Sequence, residues 1–321
     1  MRSDILGYAL RRILHSVPLV IGVSIIGFSL MHLAPGGPLS VYTLNPTITA
    51  ADLDRLRAAL GLDQPLYVQY LAWARSMLTG TWGYTMFGGR PVLDVILERV
   101  PATLILMGTS MALSVLIGTA LGLLGAVRRN SLFDHLATTG AMLALSFPTF
   151  WFGLMAIYVF SLQLGWLPSG GMYDFGMEGN LANLLRHLVL PVGVLTMVLV
   201  AQWSRYARSS FLEVIQQDYI RTARSKGLSP RRVMGRHAFP NAVIPLIALL
   251  GVQLPAVFSG ALVAETIFSW PGMGRLFIDA LSMNEYSVLL GMVVFTALLV
   301  ILANLLADIA IALIDPRTKL R

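Results

Sequence analysis

Long apolar blocks alternate with polar segments of very unequal length along this chain of 321 residues. The blocks run 13–34, 101–127, 136–164, 188–204, 241–264 and 287–313. Each is close to or above the about 20 helical residues that cross a hydrocarbon core. The fourth is the shortest, and its lower end carries no clear boundary. Within the blocks the apolar residues are continuous rather than confined to one stripe, so the solvent they meet is lipid on every side that another helix does not cover. The pattern predicts an all-α integral membrane protein of about six transmembrane helices. Pro18, Pro148, Pro191, Pro245 and Pro255 punctuate the blocks. Each removes a backbone donor and predicts a bend, which membrane helices tolerate where neighbouring helices or water satisfy the freed carbonyls. The first block follows Arg2, Arg11 and Arg12 and ends at Pro35-Gly36-Gly37-Pro38. It exceeds the about 7–15 residues of a signal-peptide core and reads as a retained anchor helix.

Between the first two blocks, Pro35 to Arg99 is too long for a turn. Thr49 with Asp52 makes a capping-box start, and Leu53, Leu56 and Leu60 recur at helical spacing before Gly61. Tyr67 to Leu78 is a second amphipathic stretch carrying Tyr70, Leu71, Trp73, Met77 and Leu78. The simpler expectation is a pair of helices on the membrane surface with aromatics at headgroup level. The alternative is a landing platform for an extracytoplasmic partner.

Composition sharpens the picture. Hydrophobic residues make up 56% and charged residues 12%, against about a quarter charged in soluble domains. There is no cysteine, which excludes disulfides, thiolate metal sites and thiol catalysis. Of the 23 Lys and Arg, sixteen lie on the side of the termini and of the segment after the fourth block. The seven others (Arg55, Arg57, Arg75, Arg90, Arg99, Arg186, Arg275) lie on the opposite side. The richer side is cytoplasmic by the positive-inside rule, with both termini inside. The formal charge of +7 therefore follows from topology and requires no nucleic-acid partner.

Lys226 follows Ser225 and Lys319 follows Thr318, so the Gly-Lys of a phosphate-cradling P-loop is missing. The five histidines, His15, His32, His135, His187 and His237, are scattered, and none is assigned to a metal. The central parts of the blocks hold no Asp, Glu, Lys or Arg. Such a charge costs about 2.5–3.5 kcal/mol on insertion scales and is kept mainly for ion relays. This speaks against an ATP-independent secondary carrier or channel. Asp308, four residues after Asn304, lies near the cytoplasmic end of the last block, where a structural role is expected. A membrane-embedded enzyme would need a convergent catalytic set, and no such set is apparent.

The cytoplasmic segment from Arg205 to His237 carries the most specific pattern. Glu213 to Lys226 is expected to form a helix stopped by Gly227 in the left-handed conformation. Ser229-Pro230, as N-cap and first helical residue, would start a second short helix. Tyr219, Ile220, Ala223 and Leu228 mixed with cations suit an element inserted into a groove on a soluble partner.

The run from Asp218 through Tyr219, Ile220, Arg221, Thr222, Ala223, Arg224, Ser225, Lys226 and Gly227 to Leu228, followed by His237-Ala238-Phe239-Pro240-Asn241-Ala242, resembles the coupling loop of ATP-binding-cassette importer permeases of the dipeptide/oligopeptide/nickel family. Of the general importer motif, Ala223, Gly227 and Pro240 fit. Arg221, Thr222 and Phe239 depart from it in a way normal for the peptide branch. Collinear matches include Glu98-Arg99-Val100-Pro101-Ala102-Thr103-Leu104, Phe147-Pro148-Thr149-Phe150-Trp151, Glu265 through Gly274 and Asp315-Pro316-Arg317. The long outer segment is similar to that of the first of the family's two permease paralogues.

The resemblance implies a type I importer permease fold in the bacterial inner membrane, divided into 1–34 (tail and first span), 35–100 (extracytoplasmic) and 101–321 (core, with the coupling loop at 205–240). It implies a paralogous permease, two ATPase subunits and an extracytoplasmic solute-binding protein as partners. ATP and Mg belong to the ATPases, and no cofactor to this chain. Asp218, Tyr219, Arg221, Thr222, Ala223, Arg224, Lys226 and Gly227 would couple it to them. The segment from Glu265 to Tyr286 is expected to dip back toward the membrane, with Glu265, Trp270, Pro271 and Gly272 as an outer gate or Trp270 as an interfacial anchor. Peptides are the expected cargo, with nickel complexes, glutathione and oligosaccharides as alternatives within the resemblance.

Overall fold

A computed structural model describes residues 2–33, 39, 48–59, 61–259 and 261–314. Pro35-Gly36-Gly37-Pro38, Leu60 and Asp315-Pro316-Arg317 lie outside the described residues. The elements are helical: α1 (Arg2–Leu33), α2 (Ala50–Ala59), α3 (Leu66–Leu78), α4 (Val92–Val127), α5 (Leu132–Ser146), α6 (Thr149–Ala156) and α7 (Leu181–Ile215). They continue with α8 (Asp218–Ser225), α9 (Pro230–Arg232), α10 (Phe239–Ser259), α11 (Leu262–Ile267), α12 (Met273–Ser282) and α13 (Tyr286–Ile314). Two π-helical stretches, Ile157–Gln163 and Val233–Ala238, extend α6 and join α9 to α10.

Among the described residues, five helices are long and apolar enough to cross a membrane, and α5 with α6 and its π extension makes a sixth, bent span. The third block is therefore broken rather than continuous, with a 96° bend between its halves. Phe147 is extended (φ −97°, ψ 142°) and Pro148 caps α6. Proline disfavours the helical region for the residue before it, and here that preference ends the helix. Pro18, Pro101, Pro191, Pro245 and Pro255 all sit inside continuous helices.

Two spans outrun their apolar blocks. α4 begins at Val92 and runs 36 residues, so the helix starts inside the segment read as extracytoplasmic. α7 is 35 residues long and overshoots 188–204 at both ends. It starts at an Asn180 cap whose side chain accepts the Asn183 N–H at 3.1 Å. Hydropathy fades where a helix leaves the lipid, but the backbone ladder does not.

α4 and α7 form the central pair. Gly118, Gly122 and Gly125 on α4 let the backbones close. A Cβ on Gly122 would sit 2.5 Å from Ala207 Cβ and 2.7 Å from Arg208 N, the small-residue contact by which membrane helices pack. Trp203 Nε1 donates to Thr119 Oγ1 across the seam at 2.8 Å. At the C-terminal end of α4 the buried Asp134 carboxylate takes Arg208 Nε at 2.6 Å and Nη2 at 2.8 Å, and also the Asn130 N–H at 3.0 Å. This bidentate clamp ties the start of α5 to α7. Arg12 pairs with Asp308 at 2.8 Å, joining α1 to α13, a structural use of that carboxylate.

Between α1 and α4, α2 carries the expected capping box. Thr49 N–H donates to Asp52 Oδ2 at 3.2 Å, and Asp52 N–H to Thr49 Oγ1 at 3.3 Å. The Thr49 hydroxyl bond holds the Asp52 carboxyl below its ordinary range. α3 turns Tyr70 and Trp73 toward α1 and leaves Tyr67 exposed. Ser24 and the Tyr70 hydroxyl are 2.8 Å apart, His32 Nε2 and Gln69 Oε1 2.9 Å, and Phe28 contacts both Tyr70 and Trp73. Buried Glu285, just before α13, accepts the Met86 and Phe87 N–H groups at 2.9 and 2.8 Å and fastens the turn before α4.

Candidate functional site

The segment read as the coupling loop hangs between two spanning helices, α7 and α10. Sequence reading expects one helix from Glu213 to Lys226. Instead α7 ends at Ile215, Gln217 is extended (φ −68°, ψ 149°), and α8 starts afresh at Asp218. Neither Gly nor Pro marks this break. The tertiary cause is burial of Ile220 and Ala223, which reach Val233 and Ala238 only if α8 tips across the base of the bundle. Val214, Ile215, Leu228 and Met234 complete that small core.

Gly227 stops α8 as expected, at φ +78°, a conformation costly for any residue with a Cβ. Its N–H bonds Arg224 O at 2.9 Å, and Leu228 N–H bonds Ala223 O at 3.4 Å. Ser229 precedes Pro230 at the first helical position, but its side chain makes no capping bond. The helix begun there does not stay short. It continues through the π stretch into α10 and is the first turn of a membrane span.

Of the residues singled out, Asp218, Tyr219, Arg221, Thr222, Arg224, Lys226 and Gly227 are exposed, while Ala223 is buried and anchors the element. Arg231, Arg232 and Arg236 extend the exposed basic face beyond the corner. Against them stands Asp218, 3.6 Å from Arg221 within α8. The result is a cationic surface with one exposed aromatic ring, rigid because its underside is packed.

The second candidate is the corner between α11 and α12. Glu265 is fully buried. Its carboxylate accepts Thr103 Oγ1 at 2.9 Å and the Arg275 N–H at 3.1 Å. The same hydroxyl accepts the Met273 N–H at 2.8 Å. Trp270 is equally buried and donates Nε1–H to Ala102 O at 2.8 Å. This overturns the interfacial-anchor reading of Trp270, which touches α4 and no membrane surface. Ser269 turns the chain at φ +48°. A Cβ on Gly272 would lie 2.4 Å from Glu265 Oε2, so only glycine leaves room for the carboxylate. Pro271 is partly buried in the turn. The corner is thus bonded to α4 as one body.

Sequence reading missed Thr103, Arg275 and His187 as parts of this region. Thr103 stood inside a quoted motif, but nothing local pointed 162 residues ahead to Glu265. Buried His187 lies 3.1 Å from Gly170 O and Gly171 O through Nδ1. Gly171 N–H bonds Phe268 O at 2.8 Å, so the loop before α7 closes over the corner. Asp174 in that loop is held below its ordinary range, first by the Asn183 side-chain bond and then by His187.

Comparisons with known proteins agree with this architecture. Residues 115–320 match the family described as binding-protein-dependent transport system inner membrane component, and residues 5–107 match the N-terminal family of such membrane components. An oligopeptide transport system permease protein of Bacillus subtilis is 41% identical over 97% of this chain and 99% of its own. A di/tripeptide transport system permease protein of Pseudomonas aeruginosa is 38% identical over 98% and 99%. A glutathione transport system permease protein of Escherichia coli is 37% identical over the same shares. Among solved structures, a chain of the MetNI methionine ABC transporter in inward-facing conformations aligns with a TM-score of 0.57. It covers 70% of this chain and 97% of its own at 17% identity, a likeness of fold.

Proposed function

The chain belongs to the binding-protein-dependent transport system inner membrane component family, and on that premise we propose that it conducts peptides between itself and a paralogous permease, driven by two ATPase subunits through α8. It is a permease subunit of an ATP-binding-cassette importer, a multi-pass protein of the bacterial inner membrane. In the proposal an extracytoplasmic solute-binding protein delivers cargo, both termini are cytoplasmic, and ATP and Mg are bound by the ATPases alone. Residues 1–34 form the tail and first span, 35–100 the extracytoplasmic segment and 101–321 the core. Peptide cargo is favoured by the names of the relatives that transport oligopeptides and di- or tripeptides.

The observation that carries the coupling assignment is the two-faced build of α8. Ile220 and Ala223 lock its inner face to the end of α7 and the π stretch that leads into α10, while Tyr219, Arg221, Arg224 and Lys226 are exposed on the outer face. A force applied to the outer face is therefore delivered to both spans. ATPase closure would rock the bundle as a rigid body, opening alternate sides of the path. At the other end, Glu265, Trp270, Pro271 and Gly272 act as an outer gate that moves with α4.

The test is Gly227→Arg beside Gly227→Ala. Nothing lies within 4 Å of a Cβ at Gly227, so the fold accepts both, each with a left-handed penalty of about 1–2 kcal/mol. In the purified complex, Gly227→Arg should hydrolyse ATP without moving peptide, because its bulk intrudes on the docking face. Gly227→Ala should retain most transport. Wild-type transport by Gly227→Arg would remove α8 as the coupling element.

A further inference from the structure

We propose that the cleft between α1, the α11–α12 corner and α13 is a binding site for one acyl chain of a membrane lipid. The cavity is about 450 Å³ and is walled by Leu19 and Val23 of α1, Phe277 of α12 and Val293, Thr296 and Ala297 of α13, among others. Thr296 offers the one side-chain hydroxyl in the lining, and no charged group faces it. Water needs two to four polar partners and does not settle there.

Depth and shape select the occupant. Along α13 the lining runs from Met292 to Val300, about 12 Å at 1.5 Å per residue. That is close to half of the about 30 Å hydrocarbon core. A peptide segment lying there would bring backbone N–H and C=O groups that find no partners on these walls. A single hydrocarbon chain brings no such groups. The cleft also continues the lipid-facing surface of α1. Leu19, Ile26 and Leu30 share one face of that helix and are 57%, 61% and 62% exposed. Leu19 thus stands on the bilayer surface and in the cavity wall at once.

The back wall includes Leu262, Met273, Gly274 and Phe277. They belong to the corner that Glu265 and Thr103 fasten to α4 on its other side. The bound chain fills the space behind that corner and completes its packing in the bilayer.

The experiment places the photocrosslinker p-benzoylphenylalanine at position 277 of the full chain, co-expressed with its partner subunits. The complex is reconstituted in nanodiscs of palmitoyl-oleoyl phosphatidylethanolamine and phosphatidylglycerol. A second site, 116, where Leu116 is 69% exposed, serves as a lipid-contact control. Illumination should give a phospholipid-mass adduct at both sites. Ala297→Phe, which fills the slot, should abolish the adduct at 277 and keep that at 116, and the milder Thr296→Leu should reduce it. An adduct at 116 with none at 277, or a polypeptide cross-linked at 277, would overturn the proposal. If Ala297→Phe fails to assemble, the unsubstituted labelling and Thr296→Leu decide it.

Discussion

At the scale of single residues, the most exacting feature is the hydroxyl of Thr103, which accepts from Met273 N–H while donating to Glu265. Valine has nearly the same shape but can do neither. Thr103→Val leaves a buried carboxylate and a helix-terminal N–H short of a partner, at about 1–3 kcal/mol for a buried unsatisfied group. The expected result is a lower unfolding temperature in detergent with normal membrane insertion, and an unchanged melting curve would refute it. Asp174 gives a pH signature. Its carboxyl is held below the ordinary 3.8 by Asn183 and His187. A depressed carboxylate contributes stability that is present above the unfolded value and lost as pH falls through the folded one. Protection against hydrogen exchange across 172–183, taken relative to the intrinsic rate at each pH, should therefore persist at neutral pH and fall only below about pH 4. Loss of protection while the carboxylate is still ionised would refute it.

At the scale of elements, the α4–α7 seam is set by atoms that are absent. Gly122→Leu would place a branched side chain where Ala207 and the Arg208 backbone already stand. The helices must then separate, and the Trp203–Thr119 bond and the Asp134–Arg208 clamp are strained with them. Expression of folded protein should fall sharply, read as loss of a monodisperse chromatography peak, whereas Gly108→Leu, with open space around it, should be tolerated. The seam also shows where sequence reading stops. Apolar block length located every span, because lipid imposes a residue count that no soluble fold imposes. It did not locate the start of α4 or either end of α7, because those outer turns carry polar residues yet are still helical. It did not separate Pro148 from the prolines that helices absorb. The break at Gln216-Gln217 carries no local signal, since burial of Ile220 and Ala223 against residues that follow in the chain decides it. Gly227 and the Thr49–Asp52 box were legible because a backbone conformation or a short-range bond dictates them. The Glu265 cluster was not, because its partners are distant in sequence.

At the scale of the whole molecule, the long spans are joined at their ends by small, fully bonded devices. These are the Asp134–Arg208 clamp and the α8 core on one side, and the Glu265 corner with the loop over it on the other. Such a construction moves as bodies rather than by bending. Two glycines introduced together at Val198 and Leu199, in the middle of α7, should test this, since each costs about 1 kcal/mol of helix stability and loosens the ladder. The complex should still assemble and hydrolyse ATP, with transport reduced more than hydrolysis. Equal losses of both would show that α7 does not relay the motion.

The 35 residues of α7 make a strut about 50 Å long. Near its C-terminal end Arg208 grips Asp134, and toward its N-terminal end, the outer one in the proposed orientation, Leu190 and Val194 press on Phe268 of the corner. In mechanical language that grip is a fulcrum. It lies about four to five turns from the outer contact but only about two from the end of α7 that leads into α8, so the two arms are unequal. A small, forceful displacement on the cytoplasmic side becomes a larger, weaker sweep at the outer mouth. In the proposed coupling to an ATPase pair, such gearing would exchange the high force of closure for the reach needed to open a passage to a bulky solute.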